Sequence, residues 1–380
     1  MKLDNLISEL CPTGVKCTRL GDVCDVLRGK RLTKAQLTDN DKYPVLHGGL
    51  TPMGYYSEFN RKAGTTIVVN TGNAGSVFYS DREFWSSDAC FSLYPHNGLL
   101  DRYLFHFVLQ NEPVLKGKIR TGAMPTIDAL AVESLLIPLP PLAVQQEIVR
   151  ILDSFTELTA ELTAELTARR KQYEHYKGLI FKHTFAHGTT KPLGDIATFS
   201  QGIQVEPKNQ FYDMTSDRVR FLRIVDFVSE NEPPRYIERP NSKYLKTDQE
   251  LVMIRYGASA AGKVFMNHSG AIANNMFKIN FHDGITPRFA MHYLSQTSIY
   301  LALNTSSGKS TMPAVNFKTV GQIPIPVVSI SEQQRIVEIL DRFDAICNDL
   351  TSGLPAEITA RQKQYEYYRD KLLTFKELES

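Results

Sequence analysis

The stretch Gln145-Gln146-Glu147-Ile148-Val149-Arg150-Ile151-Leu152-Asp153-Ser154-Phe155 returns 188 residues later as Gln333-Gln334-Arg335-Ile336-Val337-Glu338-Ile339-Leu340-Asp341-Arg342-Phe343. Further on, Ala168-Arg169, Lys171-Gln172-Tyr173-Glu174 and Tyr176 recur as Ala360-Arg361, Lys363-Gln364-Tyr365-Glu366 and Tyr368. A repeat this long is no solenoid period; it is a duplicated unit. Earlier in each copy the match thins to short echoes. Leu20-Gly21-Asp22 returns as Leu193-Gly194-Asp195, Gly75-Ser76-Val77-Phe78 as Gly262-Lys263-Val264-Phe265, and Met124-Pro125 as Met312-Pro313. The offset grows from 173 to 187, a net insertion of 14 residues early in the second copy. Each half is therefore a divergent globular part followed by a nearly constant tail, which suggests two modules doing one job on different targets.

In the first tail, apolar residues fall at Val144, Ile148, Ile151, Phe155, Leu158 and Leu162 and continue through Leu166, Tyr173 and Tyr176. Steps of three and four mark a helical seam of coiled-coil type, and about 40 residues at about 1.5 Å each make a rod of about 60 Å. The second tail repeats the seam with Ile336, Ile339, Phe343, Tyr365 and Tyr368, but Ser352-Gly353-Leu354-Pro355 interrupts it. Gly suits a helix end and Pro the first turn of a new helix, so a break is expected there. Two helices with one apolar stripe each bury those stripes most simply against one another. The globular parts carry short β-favouring runs, such as Thr65–Val69 and Leu251–Ile254, separated by Gly, Asn, Asp and Ser. Helices are expected around Asp101–Gln110 and Pro287–Leu294, and the class is α/β or α+β. The expected boundaries are a lead-in at 1–17, globular domains at 18–140 and 188–328, and tails at 141–187 and 329–380.

Inside the first rod, residues 159–166 are two tandem copies of Thr-Ala-Glu-Leu. Ala, Glu and Leu are strong helix formers, so helical filler explains the composition. Each unit also lengthens a helix by about 6 Å without interrupting it.

The 380 residues carry 42% hydrophobic and 22% charged side chains, the balance of a soluble globular protein. The most apolar stretch, Leu135 to Val144, is broken by Pro138, Pro140 and Pro141, too short for a membrane span. The cysteines, Cys11, Cys17, Cys24, Cys90 and Cys347, form no Cys-x-x-Cys pair, so reduced thiols in the cytoplasm are expected. Net charge is only +2, although residues 188–328 carry +4 and residues 329–380 carry −3. Charge permits nucleic-acid binding without arguing strongly for it.

No catalytic set stands out. Gly257-Ala258-Ser259-Ala260-Ala261-Gly262-Lys263 looks like a phosphate-binding loop, but Val264 stands where Ser or Thr would hold magnesium. Its partner in the first half, Asn70 to Ser76, has no Lys. Glu206-Pro207-Lys208 after Asp195 could belong to a metal nuclease, yet the first half has basic Arg31-Leu32-Thr33-Lys34 there. The nine histidines lack paired metal-ligand spacing.

Several features together resemble the specificity subunit of type I restriction–modification systems. They are Glu9-Leu10-Cys11-Pro12-Thr13-Gly14-Val15, the Leu-Gly-Asp starts, the Ile-Pro-x-Pro lead-ins at Ile137 and Ile323, and the Gln-Gln-x-Ile-Val-x-Ile-Leu-Asp blocks. The Thr-Ala-Glu-Leu repeats belong with them, as do Gly353-Leu354-Pro355-Ala356-Glu357 and the Lys-Gln-Tyr-Glu blocks. The resemblance spans the whole chain and is weakest in the globular parts. It implies two target-recognition domains joined by two long antiparallel coiled-coil spacer helices with pseudo-two-fold symmetry. Each domain would read half of a bipartite site on double-stranded DNA. It further implies a non-catalytic chain. Two modification subunits would flip adenines and methylate N6 with S-adenosylmethionine, and motor-nuclease subunits using ATP and Mg2+ would join to restrict unmodified DNA. The alternative is a two-headed coiled-coil adaptor that binds protein or glycan.

Candidate DNA contacts follow from chemistry. Arg28, Lys30, Arg31 and Lys34 form the densest basic cluster, and the corresponding Gln201 and Gln204 are neutral but can pair with adenine edges. Lys118, Arg120 and Thr121 align with the Gly-rich loop holding Ser307, Lys309, Ser310 and Thr311. The turns at Thr71 and Asn73 and at Ser259 complete the set; either turn serves equally well as a plain strand connection.

Overall fold

The computed structural model describes residues 3–49, 51–229, 232–257, 260–282, 284–305 and 314–378. The chain divides into two compact units, Met1–Thr163 with Glu357–Ser380, and Ala164–Ala356. Each combines one globular part with segments of both tails.

In unit 1 a four-stranded antiparallel sheet runs in the order Cys24–Arg28, Cys90–Pro95, Thr65–Val69, Val77–Ser80. The strand Thr65–Val69 is buried along its whole length, as a run of Thr, Ile and Val without alternation requires. Its side chains alternate between two faces. Val68 packs with Tyr103, Leu104, Phe107 and Val108 of the helix Asp101–Gln110, whereas Ile67 and Val69 pack with Phe84 and Cys90. A smaller sheet of Gly54–Tyr56, Tyr43–Leu46 and Trp85–Ser86 adds a third layer; Val45 pairs in parallel with Trp85.

Unit 2 repeats this plan. Its main sheet runs Ala197–Gln201, Met276–Phe281, Leu251–Ile254, Val264–Phe265. Leu251 and Met253 face the helix Pro287–Leu294, while Val252 and Ile254 face the smaller sheet. That smaller sheet has four strands, Arg235–Glu238, Arg218–Leu222, Gly270–Ile272 and Leu245–Lys246, so the last is an addition to the plan of unit 1. A two-stranded ribbon closes each globular part by pairing its start with its end. Cys17–Arg19 pairs with Leu136–Pro138, and Thr189–Pro192 with Pro324–Val327.

One uninterrupted helix spans Leu142–His187, 46 residues or roughly 70 Å, and passes from unit 1 into unit 2 within the Thr-Ala-Glu-Leu repeat. The second tail is helical over Ile330–Asn348 and again over Leu354–Leu372. At Gly353, between them, a Cβ would stand 2.5 Å from the Ala345 carbonyl oxygen, so the backbone crosses there only without a side chain. In unit 2 the tails run antiparallel: Arg170 donates to the Cys347 carbonyl, and both Tyr173 and Tyr176 meet the Phe343 ring, whereas Ile180 lies farther along the same core as Ile336. In unit 1 Phe155 stacks on Tyr368 at 5.3 Å. The fully buried stripe at the start of each tail is Gln145, Ile148, Leu152 and Gln333, Ile336, Leu340, with Ile151 and Ile339 only partly covered. The helix starts are thus set by the globular core beside them as well as by a helix–helix seam.

Candidate nucleic-acid interface

Five segments of unit 1 converge at one end of its sheets. Arg28, at the end of its strand, donates through Nε to the Asp88 carbonyl at 2.8 Å, and Asn70 Nδ2 donates to the same oxygen at 3.1 Å. Gly29 follows; a Cβ there would stand 2.2 Å from the Ser87 carbonyl oxygen, so only glycine lets the chain cross from the main to the smaller sheet. The Lys30 N–H donates to the Ser86 carbonyl, and the Trp85 indole donates to the Lys30 carbonyl. His47 Nδ1 lies 2.8 Å from Ser87 Oγ. The Gly72 N–H donates to the Pro125 carbonyl, Asn73 N–H to that of Gly48, and Arg120 exchanges backbone bonds with Thr126. The loop 121–125 therefore projects beside the 71–73 turn, with Thr121 and Met124 exposed.

Unit 2 builds the same end with other residues. Gln201 Nε2 donates to the Asn274 carbonyl at 3.3 Å, where unit 1 has Arg28 on Asp88. Gly202 repeats the crossing: a Cβ would stand 2.2 Å from the Ala273 carbonyl oxygen. Asn274 Nδ2 donates to Gln204 Oε1 at 3.3 Å. Ile127 N–H bonds the Asn70 carbonyl, and Val315 N–H bonds that of Arg255. Arg255 thus occupies the place of Asn70, and its guanidinium lies 4.9 Å from the Tyr256 ring and 5.6 Å from that of Phe317. Each unit carries one arginine and one amide here, on exchanged strands: Arg28 with Asn70, and Gln201 with Arg255.

This corrects one alignment. Val69 N–H bonds the Ser76 carbonyl, whereas Ile254 N–H bonds that of Lys263, so the second turn is two residues longer and Gly72, not Asn70, answers Gly257. The stretch Gly257 to Lys263 leads into the strand Val264–Phe265 and not into a helix, so it lacks the helix N-terminus on which a phosphate loop depends.

Of the sequence candidates, Arg28, Lys30, Thr71, Asn73, Arg120 and Thr121 gather at the loop end of unit 1, and Gln201 and Gln204 at that of unit 2. Arg120 is ion-paired with Asp128. Lys118 turns aside, donating to Ser134 Oγ at 3.0 Å. Arg31 and Lys34 are exposed on the segment beyond Gly29, flanking buried Leu32. Ser259, Ser307, Lys309, Ser310 and Thr311 lie outside the described residues. His47, Asn70, Ser87, Asp88, Arg255 and Asn274 belong to the two ends and were not singled out from sequence. The signal was the pairing of Asn70-Thr71-Gly72 with Arg255-Tyr256-Gly257, hidden by the length change in the turn.

A second repeated arrangement joins each globular part to the tails. His106 Nε2 lies 2.9 Å from Asp153 Oδ1, Arg102 Nε lies 3.1 Å from the same oxygen, and Tyr365 Oη lies 2.9 Å from His106 Nδ1. In unit 2, His292 Nε2 lies 2.6 Å and Arg288 Nε 2.8 Å from Asp341 Oδ1, with Tyr173 Oη 3.2 Å from His292 Nδ1. The carboxylate can only accept, so Nε2 carries the proton and Nδ1 accepts from the tyrosine. Burial pushes both imidazoles below the usual histidine range against the pull of their aspartates. Burial also raises Asp153 and Asp341, but bonds from histidine and arginine outweigh it and hold both carboxyls low. Gln145 and Gln333 complete the parallel: Gln145 accepts from Leu100 N–H and donates to Gly98 and Pro140 carbonyls, and Gln333 does the same with Thr286, Gly284 and Val328. The constant residues of the tails are therefore sockets for the globular parts. Among the described residues no group of His, Cys, Asp and Glu could hold a metal, and no helix is long and apolar enough to cross a membrane.

Comparison with known proteins agrees with this architecture. The chain is 33% identical over 248 residues to the EcoR124I/EcoR124II specificity subunit of Escherichia coli, covering 63% of this chain and 61% of that protein. It is 28% identical over 382 residues to a putative type I restriction enzyme specificity subunit of Haemophilus influenzae, covering 94% of each. The crystal structure of an S subunit of a type I restriction–modification system from M. genitalium shares the fold, with a TM-score of 0.62 at 18% identity over 95% of this chain and 96% of that one. The family model for the type I restriction modification DNA specificity domain matches twice, at residues 12–169 and 189–360, and the chain belongs to that family.

Proposed function

We propose that this chain is the DNA-sequence-reading subunit of a type I restriction–modification assembly, in which each unit reads one half of a two-part site on double-stranded DNA. The observation that carries the reading is the pair of loop ends. They share one backbone plan and differ in their side chains, as two readers of different half-sites must. In this reading the chain is non-catalytic. Its partners supply adenine-N6 methylation with S-adenosylmethionine, and cleavage with ATP and Mg2+.

Two copies of one modification subunit fit the tails, because the duplication offers the same surface twice. Leu142 and its repeat Ile330 are 45% and 43% exposed, and Tyr176 and its repeat Tyr368 are 43% and 38% exposed. Large apolar side chains left in water at equivalent places suit a partner that covers both. The matched relatives give no support to an adaptor of protein or glycan. The test is methylation mapping in cells with and without this gene. A methylated two-part motif that disappears with the gene supports the reading; an unchanged methylome in cells that express the chain and a matching methyltransferase overturns it.

A further inference from the structure

The two loop ends differ in the side chains they carry, Arg28 against Gln201 and Asn70 against Arg255, but one pair returns unchanged. Met124-Pro125 is repeated as Met312-Pro313. Backbone bonding fixes the match. Thr126 bridges to Thr71 as Ala314 does to Tyr256, and Ile127 N–H bonds the Asn70 carbonyl as Val315 N–H bonds that of Arg255. The shared offset of 188 carries Met124 onto Met312, which itself lies outside the described residues. The loop before the methionine is two residues longer in the second copy, Thr121-Gly122-Ala123 against Ser307-Gly308-Lys309-Ser310-Thr311, yet it still ends on Met-Pro.

Packing does not explain why the methionine is kept. Met124 is 59% exposed, and exposed apolar residues elsewhere in this globular part change type between the copies: Leu27 answers to Ser200 and Leu130 to Lys318. The stem that carries it is stiff. Pro125 has a fixed φ, its carbonyl accepts from the Gly72 N–H at 3.1 Å, and Thr126 exchanges backbone bonds with Arg120 at 2.8 and 3.3 Å. The loop thus holds one large apolar side chain in water beside the 71–73 turn, and residues 121–125 carry no charge. Two heads that read different sequences need different readers, so a residue kept in both serves a contact that every sequence offers. Phosphate is one such contact, but a thioether has no proton to donate to it. The flat face of a base is another, and a polarisable thioether packs well on aromatic rings. That face is reached by parting two stacked base pairs, as apolar side chains do in proteins that kink DNA.

We propose that Met124 is a wedge that enters the base stack beside the half-site of unit 1 and parts one base step, whatever bases form it. The proposal rests on the DNA-reading function. A step already opened lowers the cost of drawing a neighbouring base out of the duplex, so the wedge prepares the DNA for a partner that flips its target. Met124 adds no sequence preference of its own.

The test uses the full chain assembled with its methyltransferase, and duplexes of the site mapped in the methylome. The fluorescent base 2-aminopurine, bright when unstacked, replaces bases one at a time around the half-site of unit 1, apart from the target adenine. Wild type should brighten at one step, whichever bases flank it. Met124→Ala, a truncation at an exposed residue, should dim that step and bind about tenfold more weakly, with the recognised motif unchanged. Met124→Leu should keep the signal, and a mismatch built into the step should restore the affinity of Met124→Ala. An alanine variant as bright and as tight as wild type overturns the proposal, and so does a loss that neither leucine nor the mismatch rescues. A changed motif also overturns it, since a wedge reads no base. If the complex methylates its site but no step brightens in wild type, the wedge fails alone; a chain that directs no methylation fails as a DNA reader, and the wedge fails with it.

Discussion

Tyr365 Oη lies 2.9 Å from Nδ1 of His106 across 259 positions of chain, and its repeat Tyr173 meets His292 at 3.2 Å. Each unit therefore takes its aspartate from its own tail and its tyrosine from the tail of the other copy. Removing the phenol oxygen leaves Nδ1 of a fully buried ring without a donor. Tyr365→Phe should cost about 1–2 kcal/mol, and Tyr173→Phe a similar amount. Urea unfolding of each variant checks this, and a midpoint unchanged in both would show that the tyrosines only fill space.

The same sockets set an acid limit. A histidine whose folded pKa is lowered binds a proton more readily when unfolded. Its stabilising effect is complete above the unfolded value of about 6.5 and declines as pH falls through that value toward the folded one. Asp153 and Asp341 act in the same sense further down, being held low in the fold. Stability should fall as pH drops below about 6.5. In His106→Gln with His292→Gln, that first decline should shrink while the later carboxylate-driven one remains. Thermal melts across the range, on wild type and double variant, read the difference.

Much of this architecture was legible in the sequence, for a physical reason. Residues fixed by a buried hydrogen-bond network tolerate little change, so Gln145, Asp153 and Tyr173 recur in register as Gln333, Asp341 and Tyr365. The helices expected around Asp101–Gln110 and Pro287–Leu294 stand at those residues. The loop ends were harder. Their framework is backbone bonding that many side chains satisfy, and Asn70 and Arg255 share a place without sharing chemistry.

The exchanged arginine and amide separate the two readers. Arg28→Ala should change methylation at the half-site of unit 1 alone, and Arg255→Ala at that of unit 2 alone. Each loss should be worth about 1–3 kcal/mol of discrimination if the guanidinium touches a base edge. A contact to phosphate would instead weaken all sites evenly. Methylome sequencing of both variants distinguishes these, and an alteration of both half-sites by either substitution would contradict independent reading.

The junction of the units within the Thr-Ala-Glu-Leu repeat makes the long helix a candidate ruler. Leu158, Leu162 and Leu166 are each half-buried, so another Leu at the same step keeps the pattern. One more Thr-Ala-Glu-Leu after Leu166 adds about 6 Å of helix, equal to one or two base pairs at about 3.4 Å each. It also turns everything beyond it by about 40° relative to whole helical turns, while one added base pair turns DNA by about 34°. The insertion should keep both half-sites and widen the unspecified gap between them by one or two base pairs, one being favoured if the two rotations share a sense. An insert of equal length containing Pro should disrupt assembly, since Pro inside a helix costs about 3 kcal/mol. Mapping methylated sites for both insertions decides the matter: an active Thr-Ala-Glu-Leu variant with an unchanged gap would mean that the helix does not set the spacing.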